Sequence, residues 1–326
     1  MREIIYDVTA LGELLVDFTE GSLSSQGNPT FEANPGGAPC NVLSMLSRLG
    51  HRTAFIGKVG RDAFGDMLRE KAQEQGIDMS GLVTDRKVHT TLAFVQKLPN
   101  GDRDFSFYRN PGADVMLRPE EVRAHRGLIE NAAIFHFGTL SMTDEIAERA
   151  TLEAVSIAKD NGVLVSFDPN YRPPLWNSQE QARDKMIFGM RNTDIMKISD
   201  NEITFLTGEE DVDKGVRRLI DRYEIPLVFA TLGPAGSRAY YRGQCVACDG
   251  FRNPDTIETT GAGDTFCACA LHYVLQYGIR NLNPEILKEL LEFANAAASL
   301  ITTRRGALAV MPTQAEILDY METFSP

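Results

Sequence analysis

The chain has 326 residues, 43% hydrophobic and 24% charged, with a formal net charge of -12. That composition suits a folded protein with a large core rather than a disordered chain, and the acidic balance argues against a nucleic-acid or anionic-membrane surface, which needs a basic face. No apolar run reaches the length of a membrane span, and the opening MREIIYDVTALGELL lacks a basic region followed by a long apolar stretch, so a soluble cytoplasmic protein is expected.

In chain order, residues 14–33 are irregular and strand-like. Asn34-Pro35-Gly36-Gly37-Ala38-Pro39-Cys40-Asn41 then sets a glycine pair before a helix, followed by Gly50 and by IGKVGRDAFG through Gly65. Residues 90–109, TTLAFVQKLPNGDRDFSFYR, alternate with period two around a Pro-Asn-Gly turn and predict an antiparallel hairpin. With 14–33 it would form a small sheet acting as a lid over a reacting group, or simply an edge extension. From about residue 130, apolar β-like runs alternate with helical periodicity: AAIFHF, a helix over 144–160, VLVSF, a helix near 179–192, DIMKIS, helices through 201–223, and PLVFATL. Such alternation predicts a parallel sheet covered on both faces. Polar clusters follow the strands at Asp168-Pro169-Asn170, Ser199-Asp200-Asn201-Glu202 and Gly233-Pro234-Ala235-Gly236, where open parallel sheets bind ligands.

The five cysteines, Cys40, Cys245, Cys248, Cys267 and Cys269, do not resemble a secreted disulfide framework, and the lone Cys245-Val246-Ala247-Cys248 reads as reduced structural thiols. IETTGAGDTF, 257–266, reads as the end of a β-like run opening a helix over 264–277, and a further helix follows over 284–303. Its glycines let backbone N–H groups approach a phosphate at the positive end of the helix dipole. Asp264 would either meet that ligand or cap its own helix, and for an isolated G-x-G-D capping is the commoner outcome.

The whole set decides between them. The GG-x-P-x-N pattern at 36–41, the S-D-N-E segment, TLGPAG and ETTGAGD occur in an order that resembles the PfkB, or ribokinase, family of sugar kinases over essentially the full length. The resemblance implies a single ribokinase-like domain over 1–326: a three-layer αβα sandwich with a mainly parallel sheet and a small β-sheet lid from about 14–36 and 88–112. It implies ATP as phosphoryl donor and Mg2+ as counter-ion, with a sugar and ATP as partners; the charge balance leaves out nucleic acid and membrane, and an exposed lid sheet predicts a homodimer through the lid.

Carried over residue by residue, Asp264 matches the catalytic base, and Gly261, Ala262 and Gly263 supply amides that steady the transferred phosphoryl group. A helix N-terminus is expected to lower the Asp264 pKa below its ordinary value of about 3.9. Glu202 matches the carboxylate that organises Mg2+ through water, its plain alternative being a first-turn helix carboxylate. Thr231, Gly233 and Gly236 match the nucleotide loop, and Asn295 falls in the adenine-side helix. Asp17, Gly36, Gly37 and Asn41 match sugar-binding positions, while Glu258 and Thr260 sit in the loop that holds a monovalent cation such as K+ in relatives.

Within the family, TLAFV (91–95), FYRNPGAD (107–114) and FDPNYRPPLW (167–176) resemble fructokinases, which implies D-fructose phosphorylated to fructose 6-phosphate with Arg109 and Arg172 lining the sugar end. Both arginines alternatively read as surface ion-pair residues. They also keep a 2-keto-3-deoxygluconate kinase as the second reading, against which Asp114 would place an acid near the pocket. A catalytically silent, sugar-binding regulator of the same fold would be expected to lack Asp264 or the glycines. Leu43, Gly112 and Glu258 depart from the family pattern, the last replacing an Asp.

Overall fold

The computed structural model describes residues 3–97 and 103–323. Its strands are, in chain order, β1 (Tyr6–Leu11), β2 (Leu15–Leu23), β3 (Pro29–Gly36), β4 (Thr53–Gly60), β5 (Ile77–Asp85), β6 (Leu92–Lys97), β7 (Arg103–Tyr108), β8 (Ala132–Gly138), β9 (Leu164–Asp168), β10 (Ile195–Ser199), β11 (Leu227–Thr231), β12 (Ser237–Tyr241) and β13 (Gln244–Cys248). The helices are α1 (Ala38–Arg48), α2 (Ala63–Glu74), α3 (Pro119–Ala124), α4 (Arg126–Glu130), α5 (Glu145–Asp160), α6 (Gln179–Arg191), α7 (Asp200–Thr207), α8 (Val212–Tyr223), α9 (Ala262–Tyr277), α10 (Pro284–Ile301) and α11 (Gln314–Thr323).

Nine strands form one sheet in the order β13-β12-β11-β10-β9-β8-β1-β4-β5. Every pair from β5 to β11 is parallel, and only the β11–β12 and β12–β13 pairs are antiparallel. Parallel strands buried on both faces carry apolar residues in succession, and β11 shows why: Leu227 and Phe229 join the core beneath α1, α9 and α10, while Val228 and Ala230 join the core beneath α5, α6 and α8. Two helical layers therefore cover the sheet, as the sequence predicts. Phe266 of α9 packs edge-on against Phe229, with ring centroids 6.3 Å apart. Its burial is worth about 1.5–3 kcal/mol and seats the start of α9 over the sheet's carboxyl ends. Among the described residues no helix is long and apolar enough to cross a membrane.

The remaining strands make a separate sheet in the order β3-β2-β6-β7. It springs from β2, which leaves β1 after a three-residue connection, so the chain passes directly from the main sheet into the lid. The predicted hairpin is present as the antiparallel β6–β7 pair, although its Pro-Asn-Gly turn lies outside the described residues. Asp62 ties this sheet to the main domain: it accepts from Gly65 N at the head of α2 (2.9 Å) and from both the amide (2.9 Å) and hydroxyl (2.7 Å) of Thr90, just before β6.

One local expectation fails. No strand precedes the GAGD turn, since residues 249–260 are irregular; Ile257 and Glu258 instead donate their amides to Thr302 O. The Cys245 and Cys248 thiols are free, as read, and both lie in β13, the edge strand of the main sheet.

Candidate active site

The strand order reverses beside β1, whose neighbours are β8 on one side and β4 on the other. A crevice opens there at the carboxyl ends of the parallel strands. Two cavities occupy it. One, of about 450 Å3, lies between the lid and α9, and the other, of about 570 Å3, lies between the loop after β11 and α10. They share Lys197, Ser199, Thr259 and Gly263, so they meet end to end.

Asp264 stands at that junction in the first turn of α9. Its carboxylate accepts a 2.8 Å hydrogen bond from Asn41 Nδ2 at the start of α1, across 223 positions of sequence. It therefore points across the helix mouth rather than back onto its own amides, and no side chain caps α9. Gly261 adopts φ 78, a left-handed geometry that glycine accepts without strain, and lines the first cavity with Gly263, whereas Ala262 N donates to Thr259 O at 3.3 Å. The Asp264 pKa is raised to about 6, chiefly by burial, opposed by the Asn41 hydrogen bond and reinforced by the charge of Asp168. The expectation of a lowered value is thus corrected: desolvation outweighs the helix end.

Lys197 on β10 is the group that sequence reasoning missed. Its Nζ donates to both oxygens of Asp168, at the end of β9, at 3.0 and 3.3 Å. Burial works against its charge, but Asp168 and Glu202 prevail and hold its pKa above the ordinary lysine value. A Cβ placed on Gly263 would lie 3.1 Å from Lys197 Nζ, so the ammonium sits directly over the GAG turn. The available signal was a lysine within the buried apolar run DIMKIS, since an unpaired lysine is almost never fully buried.

The first cavity is acidic. Asp17 reaches it from β2, its pKa raised to about 7 by burial and by Glu258 and Asp264, against the pull of Arg172. Glu13, also missed, lines the cavity and accepts Ala38 N at 2.8 Å, with its pKa likewise raised to about 7 by burial. The predicted Gly37, Asn41 and Arg172 line the same space. Asn41 does so with its Oδ1 buried and without a hydrogen-bond partner. Gly36 is not a lining residue: a side chain there would overlap the Asp17 carboxylate, so its part is to leave Asp17 room.

Arg109 departs from its expected place. It forms a buried bidentate pair with Asp114, through Nε at 2.8 Å and Nη2 at 2.6 Å, and donates further to Leu140 O and Thr143 Oγ1. Four of its five N–H groups are thereby committed, and it does not line the first cavity. The acid expected from Asp114 is neutralised in the same pair, so it says nothing against an anionic sugar. Gly112 is required by this arrangement, because a side chain there would overlap the Thr91 hydroxyl that binds Asp114.

Glu202 has both roles of its two readings within reach. One oxygen accepts Ser199 N at 2.8 Å, closing a capping box at α7, and the other accepts Tyr171 N at 2.7 Å. Each oxygen accepts one amide, and Glu202 lines the first cavity, which fits a water-bridged cation better than direct ligation. Glu258 is buried, accepts Gly306 N at 2.9 Å, and lines the first cavity together with Thr260.

The second cavity receives Thr231, Gly233 and Gly236 from the β11–β12 connection and Asn295 from α10, as expected. It meets the first cavity at Gly263 and is lined by glycines and by Pro234, Phe251 and Phe266, a lining that suits a nucleoside polyphosphate.

Residues 6–314 match the family model described as pfkB family carbohydrate kinase. Among curated proteins, a probable fructokinase-2 of Arabidopsis thaliana is 39% identical over 97% of this chain and 95% of its own. A fructokinase of Xylella fastidiosa with bound ATP superposes with a TM-score of 0.88 at 30% identity, over 98% of this chain and 99% of that one. A fructokinase of Vibrio cholerae O395, in a form with bound fructose, ADP and calcium ion, gives 0.85 at 28% identity, over 96% and 98% of the two chains.

Proposed function

The chain belongs to the pfkB family of carbohydrate kinases, and on that premise we propose that it transfers the terminal phosphoryl group of ATP to a hydroxyl of D-fructose, at O6. The observation that carries the reading is the position of Asp264, aimed between two cavities that meet end to end at Lys197 and Gly263. Fructose occupies the lid-side cavity, its hydroxyls exchanging hydrogen bonds with Asp17 and Arg172. Asp264 orients the attacking hydroxyl and takes its proton as the new P–O bond forms and the bond to ADP breaks; a base of pKa about 6 is better matched to neutral pH than an ordinary aspartate. The amides of Gly261 and Gly263 and the ammonium of Lys197 meet the charge of the transferring group, typically the larger share of such catalysis, while the Ala262 amide is held by Thr259 O. A divalent cation, taken here as Mg2+, would neutralise the polyphosphate, with Glu202 holding it through water. Glu258 and Thr260 would hold a monovalent cation weakly, since Glu258 already serves Gly306.

The acceptor cavity favours a neutral sugar over a sugar acid for a reason other than Asp114: Glu13, Asp17, Glu258 and Asp264 outnumber Arg172 and Lys197 there. A coupled assay of ADP release across fructose, ribose, adenosine, 2-keto-3-deoxygluconate and fructose phosphates tests the reading. Fructose is expected to give the highest kcat/KM, and a higher value for 2-keto-3-deoxygluconate would replace it. Pairing of two copies through the lid is part of the same proposal. One face of the lid groups Phe18, Phe94, Phe31 and Tyr108; Phe18 packs on Phe64 of α2, while Tyr108 is 66% exposed. Sedimentation of the wild type against Tyr108→Ser checks it.

A further inference from the structure

Glu13 belongs to the three-residue connection by which β1 passes into β2 and the lid, and it is buried, with 3% of its surface exposed. A carboxylate is almost never placed so deep unless a donor there needs it. The donor is at the head of α1. That helix opens on Gly37, which has no side chain with which to cap it; its first turn holds no acidic residue, and Pro39 brings no N–H. The Ala38 amide therefore takes its acceptor from outside the helix, Glu13 Oε1 at 2.8 Å. Among the described residues this is the one side chain that accepts from the first turn of α1. The backbones are equally close: a Cβ on Gly37 would lie 2.3 Å from Glu13 O, and one on Gly12 would lie 2.5 Å from Pro39 Cγ. The connection and the head of α1 are thus docked as one unit.

Asn41 stands one turn along from Ala38, so it shares a face of α1 with the anchored amide. From there its Nδ2 donates to Asp264 Oδ2 at 2.8 Å. We propose, resting on the kinase reading above, that Glu13 is a positioning residue for the transfer: it holds the head of α1 so that Asn41 aims Asp264 at the acceptor hydroxyl. The anchor is the oxygen rather than the charge. Burial pushes the Glu13 carboxyl up to about 7, against its own amide, the Ala38 amide and the charge of Arg109, with Asp114 reinforcing it, so near neutral pH the bond to Ala38 serves both protonation states.

The test pairs turnover with a titration that needs none. Glu13→Gln keeps an oxygen for the Ala38 amide, Glu13→Met keeps the length and loses the acceptor, and Asn41→Ala removes the next contact. A reacting group misplaced by about 1 Å costs about 10²-fold, so kcat with saturating fructose should fall by about 10–10² in Glu13→Met and by less than about threefold in Glu13→Gln. Added to Asn41→Ala, Glu13→Met should lower kcat by less than about a further twofold. Losses that multiply in the double variant would overturn the inference. So would a fructose KM raised about tenfold in Glu13→Gln at normal kcat, which would make Glu13 a sugar ligand. The bond from Asn41 holds the Asp264 pKa down. Followed by carbon NMR without ligands, the Asp264 carboxyl should therefore titrate at higher pH in Glu13→Met than in Glu13→Gln, both being uncharged at the substituted residue. Equal titration in the two overturns the inference even where kcat falls. A shifted titration in a protein that phosphorylates no fructose would instead remove the kinase reading and leave Asp264 positioned through Glu13.

Discussion

Asp264→Asn separates a catalytic carboxylate from a structural one by moving activity and stability in opposite directions. The native state holds the Asp264 proton more tightly than the unfolded chain does, with the pKa moving from 3.8 to about 6. Between those values the folded protein binds more protons, so this group's contribution to stability declines as pH rises from about 4 to 6 and stays unfavourable above that. The full difference corresponds to about 3 kcal/mol, and because the residue is partly open to the cavity we expect about 1–2 kcal/mol. Asparagine keeps an acceptor for Asn41 Nδ2 and carries no charge. At pH 8 the ligand-free variant should therefore melt higher than wild type, by roughly 2–4 °C, and at pH 4 the gain should vanish. Its kcat with fructose should fall by about 10²–10⁴. The wild-type rate should itself drop by about tenfold at pH 5 as Asp264 is protonated. Melting curves at the two pH values beside a coupled kinase assay give all three numbers. A variant with near-normal turnover and unchanged or lower stability at pH 8 would refute the reasoning.

Lys197→Met alone leaves Asp168 buried without its partner and should cost about 3–5 kcal/mol in chemical denaturation; adding Asp168→Asn should restore most of that while kcat stays down by at least about 10², and recovery of turnover in the double variant would deny Lys197 a part in the chemistry. Arg109→Met should destabilise by a similar amount, and Arg109→Met with Asp114→Leu should recover stability with fructose KM within about threefold of wild type, since neither residue lines the acceptor cavity; a tenfold rise in KM would return Arg109 to the sugar. Glu258→Asp withdraws the carboxylate from Gly306 N, so activation by K+ in a sodium-free titration should grow relative to wild type. Strong wild-type activation that the substitution leaves unchanged would argue against this.

The parts of the fold legible in the sequence are those where burial leaves a simple pattern. The helix read over 144–160 is Glu145–Asp160, and AAIFHF, VLVSF, DIMKIS and PLVFATL each contain a strand of the parallel sheet. β4, by contrast, is fully buried yet carries Lys58 and two glycines, so its apolar run is broken; Lys58 is tolerated only because Glu121 and Asp85 meet its ammonium at 2.8 and 3.2 Å. The site shows the same division. Motif positions such as Gly37, Asn41, Asp264 and Gly236 face the cavities because local backbone geometry places them there. Lys197 and Asp168 meet across adjacent strands, and Arg109 finds Asp114 through an irregular turn, so neither pairing has a periodicity to read. The direction of the Asp264 shift depends on how much protein surrounds the carboxylate, which no local spacing encodes.

The hydrogen bond from Asn41 to Asp264 also orders events during translation. At ordinary elongation rates about 10–45 s separate synthesis of the two residues. In that interval β8, β9, β10 and β11 emerge in the order in which they stand in the sheet, each adding beside its predecessor. On that side the growing sheet ends on its newest strand, an open edge until the next one arrives, while β5 closes the other side. The proposed base, Asp264, comes only with α9, after the last of the sheet has formed, and the acceptor cavity is completed only later still, since Gly306 and Ala307 line it as well.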